Sequence, residues 1–394
     1  MKKITIVGGG SSAHTLIPVL SKSKYKVNLL TSKPDQWDYN IETQYIDPNG
    51  IKRMSIFGKI ETISNKPEDV IPGSEIIILC MPVHKYREAL HNIAPHIKGE
   101  KVFIGTIYGQ AGFNWMVAEI INTFDLKGIT AFAFGLIPWI CRISKYGKTG
   151  VTYGPKEFNI VAVSPASDFE YLNNNFLSHL CFDWFETGKF HLAENFLSLT
   201  LSVDNQIIHT SRLYDLSQKT RGIWNSQEDV PFFYKGYTTS SATMLKKLDY
   251  DYSLIRNKIK SMFPHMKFTY MLDYLALERL SYQSENSDIL ESFLNSKTLG
   301  QIKTPVTYDN GQFIIDKSHR FFFDDIYYGL MIAKWFAEQL DIEVRTIDQI
   351  LSWAQIVLND EIIKNGKLIL NLRDQFKDGI PRNYGIKSIR ECIE

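Results

Sequence analysis

The sequence lacks the features that mark several classes of protein. It contains 44 lysines and arginines against 43 aspartates and glutamates, so its net charge of +1 gives no sign of a nucleic-acid partner. No apolar stretch approaches the roughly 18 residues that a membrane helix requires. Its four cysteines show no CxxC spacing, which argues against a zinc site or a disulfide framework. These absences predict a cytoplasmic protein without a metal, a nucleic-acid partner or a membrane contact.

The distribution of apolar residues divides the chain into two predicted domains. Over residues 1–190, short apolar runs that are typical of buried strands alternate with segments of helical spacing. This alternation predicts an α/β domain with a Rossmann-type, doubly wound parallel sheet. Over residues 191–394, long segments with helical spacing replace the strands and predict a mostly α-helical second domain. The expected helices there are 192–208, 239–262, 268–279, 326–339 and 346–356, with an irregular segment or small hairpin at 297–318.

The strongest motif lies near the start of the chain, where a predicted buried strand runs into glycines and a predicted helix follows. Gly8, Gly10 and Ala13 fit the pattern G-x-G-x-x-G/A. Gly8 allows a tight turn, Gly10 leaves room for a pyrophosphate, and Ala13 lets the helix pack closely on the strand. The helix N-terminus favours an anion. The motif predicts dinucleotide binding, and the alternative is a glycine-rich turn of another α/β protein. The expected contacts are Gly8, Gly10, Ser11, Ser12 and Ala13.

The end of the second predicted strand bears on the choice of cofactor. NAD-selective sites usually place an acid there, about 20 residues beyond the glycines, to bind the ribose hydroxyls. This strand ends in Thr31, Ser32 and Lys33, without an acid, and Ser32 and Lys33 can meet a 2′-phosphate. We therefore expect NADP(H) to be favoured, with NAD(H) possible; the alternative is that Lys33 is a solvated loop residue. Loops after other predicted strands are further candidates for ligand contacts: Pro82, Gly109–Gln110 and Pro138–Trp139.

Residue chemistry alone leaves the acid–base group open. His209 would lie just inside the helical domain, but a lone histidine is more often structural than catalytic. His14, His84 and His319 compete with it on equal terms. The pair Asp324-Asp325 precedes an apolar helix and is typical of helix-capping residues. The alternative is that one of these acids orients a histidine, as catalytic acids orient imidazole.

Several segments of the chain, taken in order, carry a resemblance to a known family. The most specific is the run Arg320–Leu330, which has an arginine, a pair of acids four and five residues later, and a glycine. Other matching segments are Gly8–His14, Gly109–Phe113, Ile137–Arg142, Pro231–Tyr234, Trp353–Gln355 and Arg382–Gly385. Together they resemble the octopine/opine dehydrogenases over nearly the whole chain.

The resemblance implies an activity and the residues that perform it. The family uses NAD(P)H to reduce the imine that forms between the amine of an amino acid and a 2-oxo acid. By resemblance, His209 is the catalytic histidine and Asp325 is its partner, which in ionised form would favour imidazolium. Arg320 would reach the cofactor pyrophosphate. Gln110 and Cys141 would contact the 2-oxo acid.

Departures from the family pattern leave the substrates open. Thr210 stands where the family often has proline, the acid pair is Asp-Asp rather than Glu-Asp, and residues 214–228 correspond loosely. One alternative is a dehydrogenase that completes an opine-type metal chelator from a larger amine. A second is a 2-hydroxy or sugar-acid dehydrogenase, and a third is a nucleotide-sensing regulator without turnover. A monomer and a homodimer both remain open.

Overall fold

Two units make up the fold, one comprising Met1–Thr200 with Leu280–Gln283 and the other Leu201–Arg279 with Ser284–Glu394. The computed structural model describes residues 2–23, 25–47, 49–294, 302–370 and 377–393. The first unit is α/β and the second is mostly helical, which confirms the predicted fold class. The predicted division at residue 190 falls inside Lys189–Ala193, an edge strand of the first unit's sheet.

The first unit is built on a mixed sheet of 11 strands. Its strands are β1 Lys2–Val7, β2 Tyr25–Leu30, β3 Asn40–Ile46, β4 Lys52–Ser64, β5 Ile76–Leu79, β6 Val102–Thr106, β7 Ile129–Phe134, β8 Trp139–Lys145, β9 Thr149–Pro155, β10 Phe158–Ser164 and β11 Lys189–Ala193. Its helices are α1 Ser11–Lys22, α2 Pro67–Val70, α3 Tyr86–Ile93, α4 Phe113–Phe124, α5 Phe169–Asn175 and α6 Phe182–Phe185, and α7 Phe196–Leu201 ends at its boundary.

The centre of this sheet is a set of parallel strands in the order β4-β2-β1-β5-β6-β7. If β4 is counted as the third parallel strand, this is the 3-2-1-4-5-6 order of a Rossmann sheet. The strands are apolar runs because helices cover both faces; every residue of β5 is buried. Ile6 of β1 and Leu16 of α1 belong to one buried cluster. The loop between β1 and α1 follows the last residue of β1, so it lies at the carboxyl edge of the sheet, where such sheets bind ligands.

Strands at both ends of the sheet were not predicted from the sequence. At one end β10 pairs antiparallel with β7, and at the other β3 pairs antiparallel with β4 and is followed by the hairpin β9-β8. β3, β4 and β8 lack a continuous apolar run because they are partly exposed, whereas β10 contains the buried apolar run 160–163. In β4, for example, Lys52, Arg53 and Phe57 are exposed. Tertiary pairing, rather than local sequence pattern, defines them.

The second unit consists of helices with small hairpins between them. Its helices are α8 Asn205–Thr220, α9 Thr239–Met262, α10 Tyr274–Tyr282 (of which 280–282 belong to the first unit), α11 Ile289–Leu294, α12 Arg320–Phe322, a π-helix Phe323–Leu330, α13 Met331–Gln339, α14 Arg345–Leu358 and α15 Ile389–Ile393. Its strands are β12 Ile223–Trp224, β13 Val306–Asp309, β14 Gln312–Ile315, β15 Ile363–Lys364 and β16 Lys367–Leu368.

The predicted helices agree with this unit to different degrees. The prediction of 239–262 is confirmed by α9, and the predicted hairpin by β13–β14, although residues 295–301 of that segment lie outside the described residues. The prediction of one helix over 192–208 is wrong. The chain there contains the end of β11, then α7, then α8, and the Asp204 carboxylate caps α8 by accepting the N–H of Asn205. A side chain that caps a new helix interrupts the preceding one.

Candidate active site

The glycine turn between β1 and α1 has the backbone geometry that the motif requires. Gly8 has φ +105°, and a β-carbon there would lie 2.6 Å from the Cys80 carbonyl oxygen. Gly10 is the N-cap of α1 in an extended conformation. Among the described residues no side chain caps this helix end, and the first turn, with Ser11 and Ser12, contains no acid. The positive end of α1 and the space at the glycines therefore fit a pyrophosphate.

His14 supports this turn from the first helical turn of α1. Its Nε2 accepts the N–H of Gly147 at 2.8 Å, so Nδ1 carries the proton and donates it to the Gly10 carbonyl at 2.9 Å. The ring lies 4.3 Å from the Trp37 ring, and burial lowers the pKa of the imidazole. His14 competed with His209 as a catalytic candidate in the sequence, but here both of its nitrogens hold backbone groups.

Residues at the ends of the neighbouring strands lie beside the glycine turn. The Thr31 hydroxyl is buried and would lie 3.3 Å from a β-carbon on Gly9. Ser32 and Lys33 are exposed, and the Lys33 ammonium lies 5.8 Å from the centre of the Tyr146 ring. Asp35, in the short 3-10 turn that follows, is an exposed acid outside the set of predicted contacts. Pro82 is exposed just beyond the end of β5.

The two residues expected to contact a 2-oxo acid, Gln110 and Cys141, are both buried in the first unit. The Cys141 sulfur on β8 lies 3.7 Å from the Ser12 hydroxyl, and burial raises the pKa of the thiol. The Gln110 amide donates to the Gly135 carbonyl at 3.1 Å, and its oxygen accepts the Tyr108 hydroxyl proton at 2.6 Å. Cys141 therefore contacts the helix that would bind the cofactor, and the Gln110 side chain is held in a fixed orientation.

The second unit brings together the two residues expected to perform acid–base chemistry. His209 on α8 and Asp325 in the π-helix are separated by 2.7 Å between Nδ1 and Oδ2, and their exposed fractions are 0% and 2%. The sequence predicted an ordinary helix from residue 326, whereas a π-helix joins α12 to α13. π-Turns within helices occur frequently at functional sites because the extra residue redirects the side chains.

A third polar side chain, Tyr234, completes this arrangement. Its hydroxyl oxygen lies 2.9 Å from Nε2 of His209, on the side of the ring opposite Asp325. The Phe321 ring stacks on the imidazole with centres 3.7 Å apart. Tyr234 belongs to the segment Pro231–Tyr234 that resembles the family, but the sequence predicts no role for it. No local pattern links it to a histidine 25 positions earlier.

Burial controls the charge of the His209–Asp325 pair. It lowers the pKa of the imidazole well below its usual range, and the Arg320 guanidinium lowers it further. It raises the pKa of the Asp325 carboxyl well above its usual range, and neighbouring Asp324 adds to that effect. Both pKa shifts favour the uncharged form of the group concerned and so disfavour an imidazolium beside a carboxylate. The resemblance predicts an ionised Asp325 that favours imidazolium, whereas this environment favours a neutral pair with a shared proton.

Arg320 lies one helical turn before Asp324, and its side chain is 42% exposed. Its Nη1 is 3.7 Å from Oδ2 of Asp324, and its guanidinium lies 5.1 Å from the centre of the Phe321 ring. The Arg320 guanidinium therefore acts electrostatically on the His209–Asp325 pair, although its own side chain is partly exposed.

Neither a membrane-spanning helix nor a metal-binding cluster occurs among the described residues. None of the helices in that part of the chain combines the length and apolar character that a membrane crossing needs. Within the same residues, no group of three or more His, Cys, Asp or Glu side chains could hold a metal ion.

Comparisons with known proteins agree with both units. A family model for the α-helical domain of NAD/NADP octopine/nopaline dehydrogenase matches residues 192–358, and one for the N-terminus of NAD-dependent glycerol-3-phosphate dehydrogenase matches residues 3–126. Tauropine dehydrogenase of Arabella iricolor is 24% identical over 405 residues, covering 100% of both chains. A structure of octopine dehydrogenase with NADH and L-arginine has a TM-score of 0.81 at 21% identity, covering 100% of this chain and 98% of the other. A structure of yersinopine dehydrogenase with NADP⁺ has a TM-score of 0.67 at 14% identity, covering 98% of this chain and 99% of the other.

The Rossmann unit with its open glycine turn and the helical unit that follows define an NAD(P)-dependent dehydrogenase. More particularly, the chain is similar to the opine dehydrogenases over its whole length, and the model of their helical domain matches its second unit, which agrees with the resemblance noted in the sequence.

Proposed function

We propose that this protein catalyses the reductive condensation of an amino acid with a 2-oxo acid to give an N-(carboxyalkyl) amino acid. The observation that carries the proposal is the buried His209–Asp325 pair, joined at 2.7 Å, in a chain that also has an uncapped glycine turn for a dinucleotide. Relatives named tauropine and octopine dehydrogenase support this reaction. We assign dinucleotide binding to the first domain and acid–base chemistry to the second.

The reaction needs a proton donor and a hydride donor. The amine attacks the carbonyl carbon, water leaves and an imine forms. When bound, the dihydronicotinamide supplies the hydride that is added to the imine carbon. The protein orients the two substrates and moves protons to and from the oxygen and the nitrogen. His209 is the group we propose for this transfer, and Asp325 orients its ring. Gln110 and Cys141 are proposed to contact the oxo acid.

We further propose that NADPH is the better cofactor. Ser32 and Lys33 are exposed at the end of β2, where a 2′-phosphate would lie. Gly8, Gly10, Ser11, Ser12 and Ala13 would hold the pyrophosphate. Arg320 would add a planar pair of donors to it. Thr31 and Pro82 would border the nucleotide. Asp35 is the competing residue, since an acid near this position favours NADH by binding the ribose hydroxyls.

A matrix assay tests the reaction and its alternatives together. Purified protein is mixed with pairs of 2-oxo acid and amine, and the loss of NADPH or NADH absorbance is followed. Small amino acids are compared with a larger aminobutyryl-histidine-like amine, which separates a simple opine dehydrogenase from one that completes a metal chelator. A set of 2-hydroxy and sugar acids is supplied with oxidised cofactor and no amine. Oxidation of these alcohols without turnover of any amine pair would contradict the proposal.

A further inference from the structure

We propose that the Tyr234 hydroxyl is the group that passes the proton between His209 and the substrate, which makes it a third catalytic residue. The inference rests on the function proposed above and adds to it the route of the proton.

The His209 ring has no exposed surface from which it could reach a substrate directly. Nδ1 is occupied by Asp325 at 2.7 Å and Nε2 by the Tyr234 hydroxyl at 2.9 Å. Phe321 covers one face of the ring, and the centre of the Phe233 ring lies 5.6 Å away. Tyr234 is buried as well, with 8% of the residue exposed. A proton that leaves Nε2 in this arrangement therefore passes to the phenol oxygen.

The direction of the Tyr234–His209 hydrogen bond depends on how many protons the His209–Asp325 pair holds. One proton always lies between Nδ1 and Oδ2. If the pair holds no second proton, Nε2 is an acceptor and the tyrosine O–H donates to it. If the pair holds a second proton, Nε2–H donates to the phenol oxygen, and the tyrosine O–H is released to donate to another atom. Loading the pair with a proton thus turns the phenol into a donor toward substrate.

The proposed step balances in atoms and charge. As the hydride is added to the imine carbon, the electron pair of the C=N π bond forms a new N–H bond with the proton of the Tyr234 hydroxyl. The phenol oxygen takes the Nε2 proton of His209 as it loses its own. The pair ends with one proton fewer and regains it from water through the same hydroxyl. In the oxidative direction each transfer is reversed, so Tyr234 then accepts a proton from substrate.

The test compares Tyr234→Phe with Tyr237→Phe. Both variants remove one buried hydroxyl from rings near Phe293, at 6.2 and 4.1 Å between ring centres. The Tyr237 hydroxyl bonds to Ser211 and the Ile208 carbonyl, away from the imidazole nitrogens. We expect Tyr234→Phe to lower kcat by about 10²-fold or more with unchanged cofactor Kd. Its solvent isotope effect on kcat should rise because proton transfer becomes limiting. Tyr237→Phe should lower Tm and keep the parental kcat and isotope effect.

A second variant covers the case in which Tyr234→Phe does not fold. Incorporating 3-fluorotyrosine at position 234 keeps the hydroxyl and makes it more acidic, so the basic limb of the kcat–pH profile should move to lower pH. A phenol with a purely structural role would leave that limb in place, and this result would overturn the relay. Parental kcat in Tyr234→Phe would overturn it as well. If the parent protein turns over none of the amine and oxo-acid pairs, it is instead the proposed function that fails.

Discussion

Gly329 of the π-helix lies directly against the side chain of Gln206 on α8, so that a β-carbon at position 329 would come within 2.9 Å of Gln206 Cδ. Gln206 stands three residues before His209, and Gly329 four residues after Asp325, so each lies one helical turn from a member of the pair. The Gln206 amide oxygen also accepts the Tyr252 hydroxyl proton at 2.8 Å, which limits how far it can move. This contact sets the distance between the two helices that carry His209 and Asp325.

We expect Gly329→Ala to separate those helices. The added methyl group should cost about 1–3 kcal/mol of stability, as overpacking typically does, and should lower kcat by lengthening the His209–Asp325 bond. Urea unfolding and kcat measured on one preparation check this. Adding Gln206→Ala should recover part of the stability, because it removes the atoms that clash, and the two changes should be non-additive. Parental stability in Gly329→Ala would show that the helices do not depend on this contact.

His209→Ala should lower kcat by about 10²–10⁴-fold while NADPH binding stays near the parental value, because the glycine turn is untouched. Asp325→Asn should also lower kcat, since the amide oxygen can accept a hydrogen bond from Nδ1 but cannot take up the proton as a carboxylate does. The double variant should lose little more than the worse single variant, because the residues act as one unit. Tm, cofactor Kd and kcat measured together distinguish this from a structural role, for which Tm would fall and turnover per folded molecule would persist.

Lys33→Ala should reduce the ratio of kcat/KM for NADPH over NADH, because it removes the cation expected beside the 2′-phosphate. Lys26→Ala is the matched control, since Lys26 is an exposed lysine near the other end of the same strand. It should leave the ratio unchanged. Steady-state kinetics with both cofactors provide the measurement. If the parent uses NADH equally well or better, and Asp35→Ala abolishes that use, the ribose is bound by Asp35 and the cofactor assignment is reversed.

His319 should make the stability of the protein depend on pH. Burial lowers the pKa of this imidazole to about 4, with the Arg320 guanidinium adding to the effect, while the unfolded chain titrates near 6.5. The folded state therefore binds fewer protons between these values, and stability is complete above about 6.5 and is lost as the pH falls toward 4. His319→Asn keeps a side-chain acceptor for the Phe321 N–H but does not titrate. Urea midpoints measured across this range should fall less steeply in the variant. Identical slopes of urea midpoint against pH in the parent and the variant would show that His319 does not cause this pH dependence.

The Rossmann unit could be predicted well from the sequence because its signals are local. A buried parallel strand needs a continuous apolar run, and a dinucleotide turn needs glycine at fixed positions. The apolar runs at residues 4–7, 26–31, 75–80, 101–107 and 129–134 therefore predict strands that coincide closely with β1, β2, β5, β6 and β7. Prediction was poorer for β3, β4 and β8–β10. β3, β4 and β8 are partly exposed, and the pairing of β3 with β9 joins segments that lie far apart in the sequence.

By itself, the sequence determined the fold class and the dinucleotide turn, because both are expressed in residue types at short, fixed spacing. It indicated His209 and Asp325 only through the resemblance to a known family, since residue chemistry alone left several histidines and both acids open. Only the tertiary structure decided what surrounds that pair. His209 and Asp325 are 116 positions apart, and Tyr234 lies on a third segment, so no local pattern could show that a phenol covers the remaining imidazole nitrogen. The π-helix, the Gly329–Gln206 contact and the burial that favours a neutral pair likewise follow from how helices pack. Packing depends on shape and desolvation, which arise only when distant segments meet.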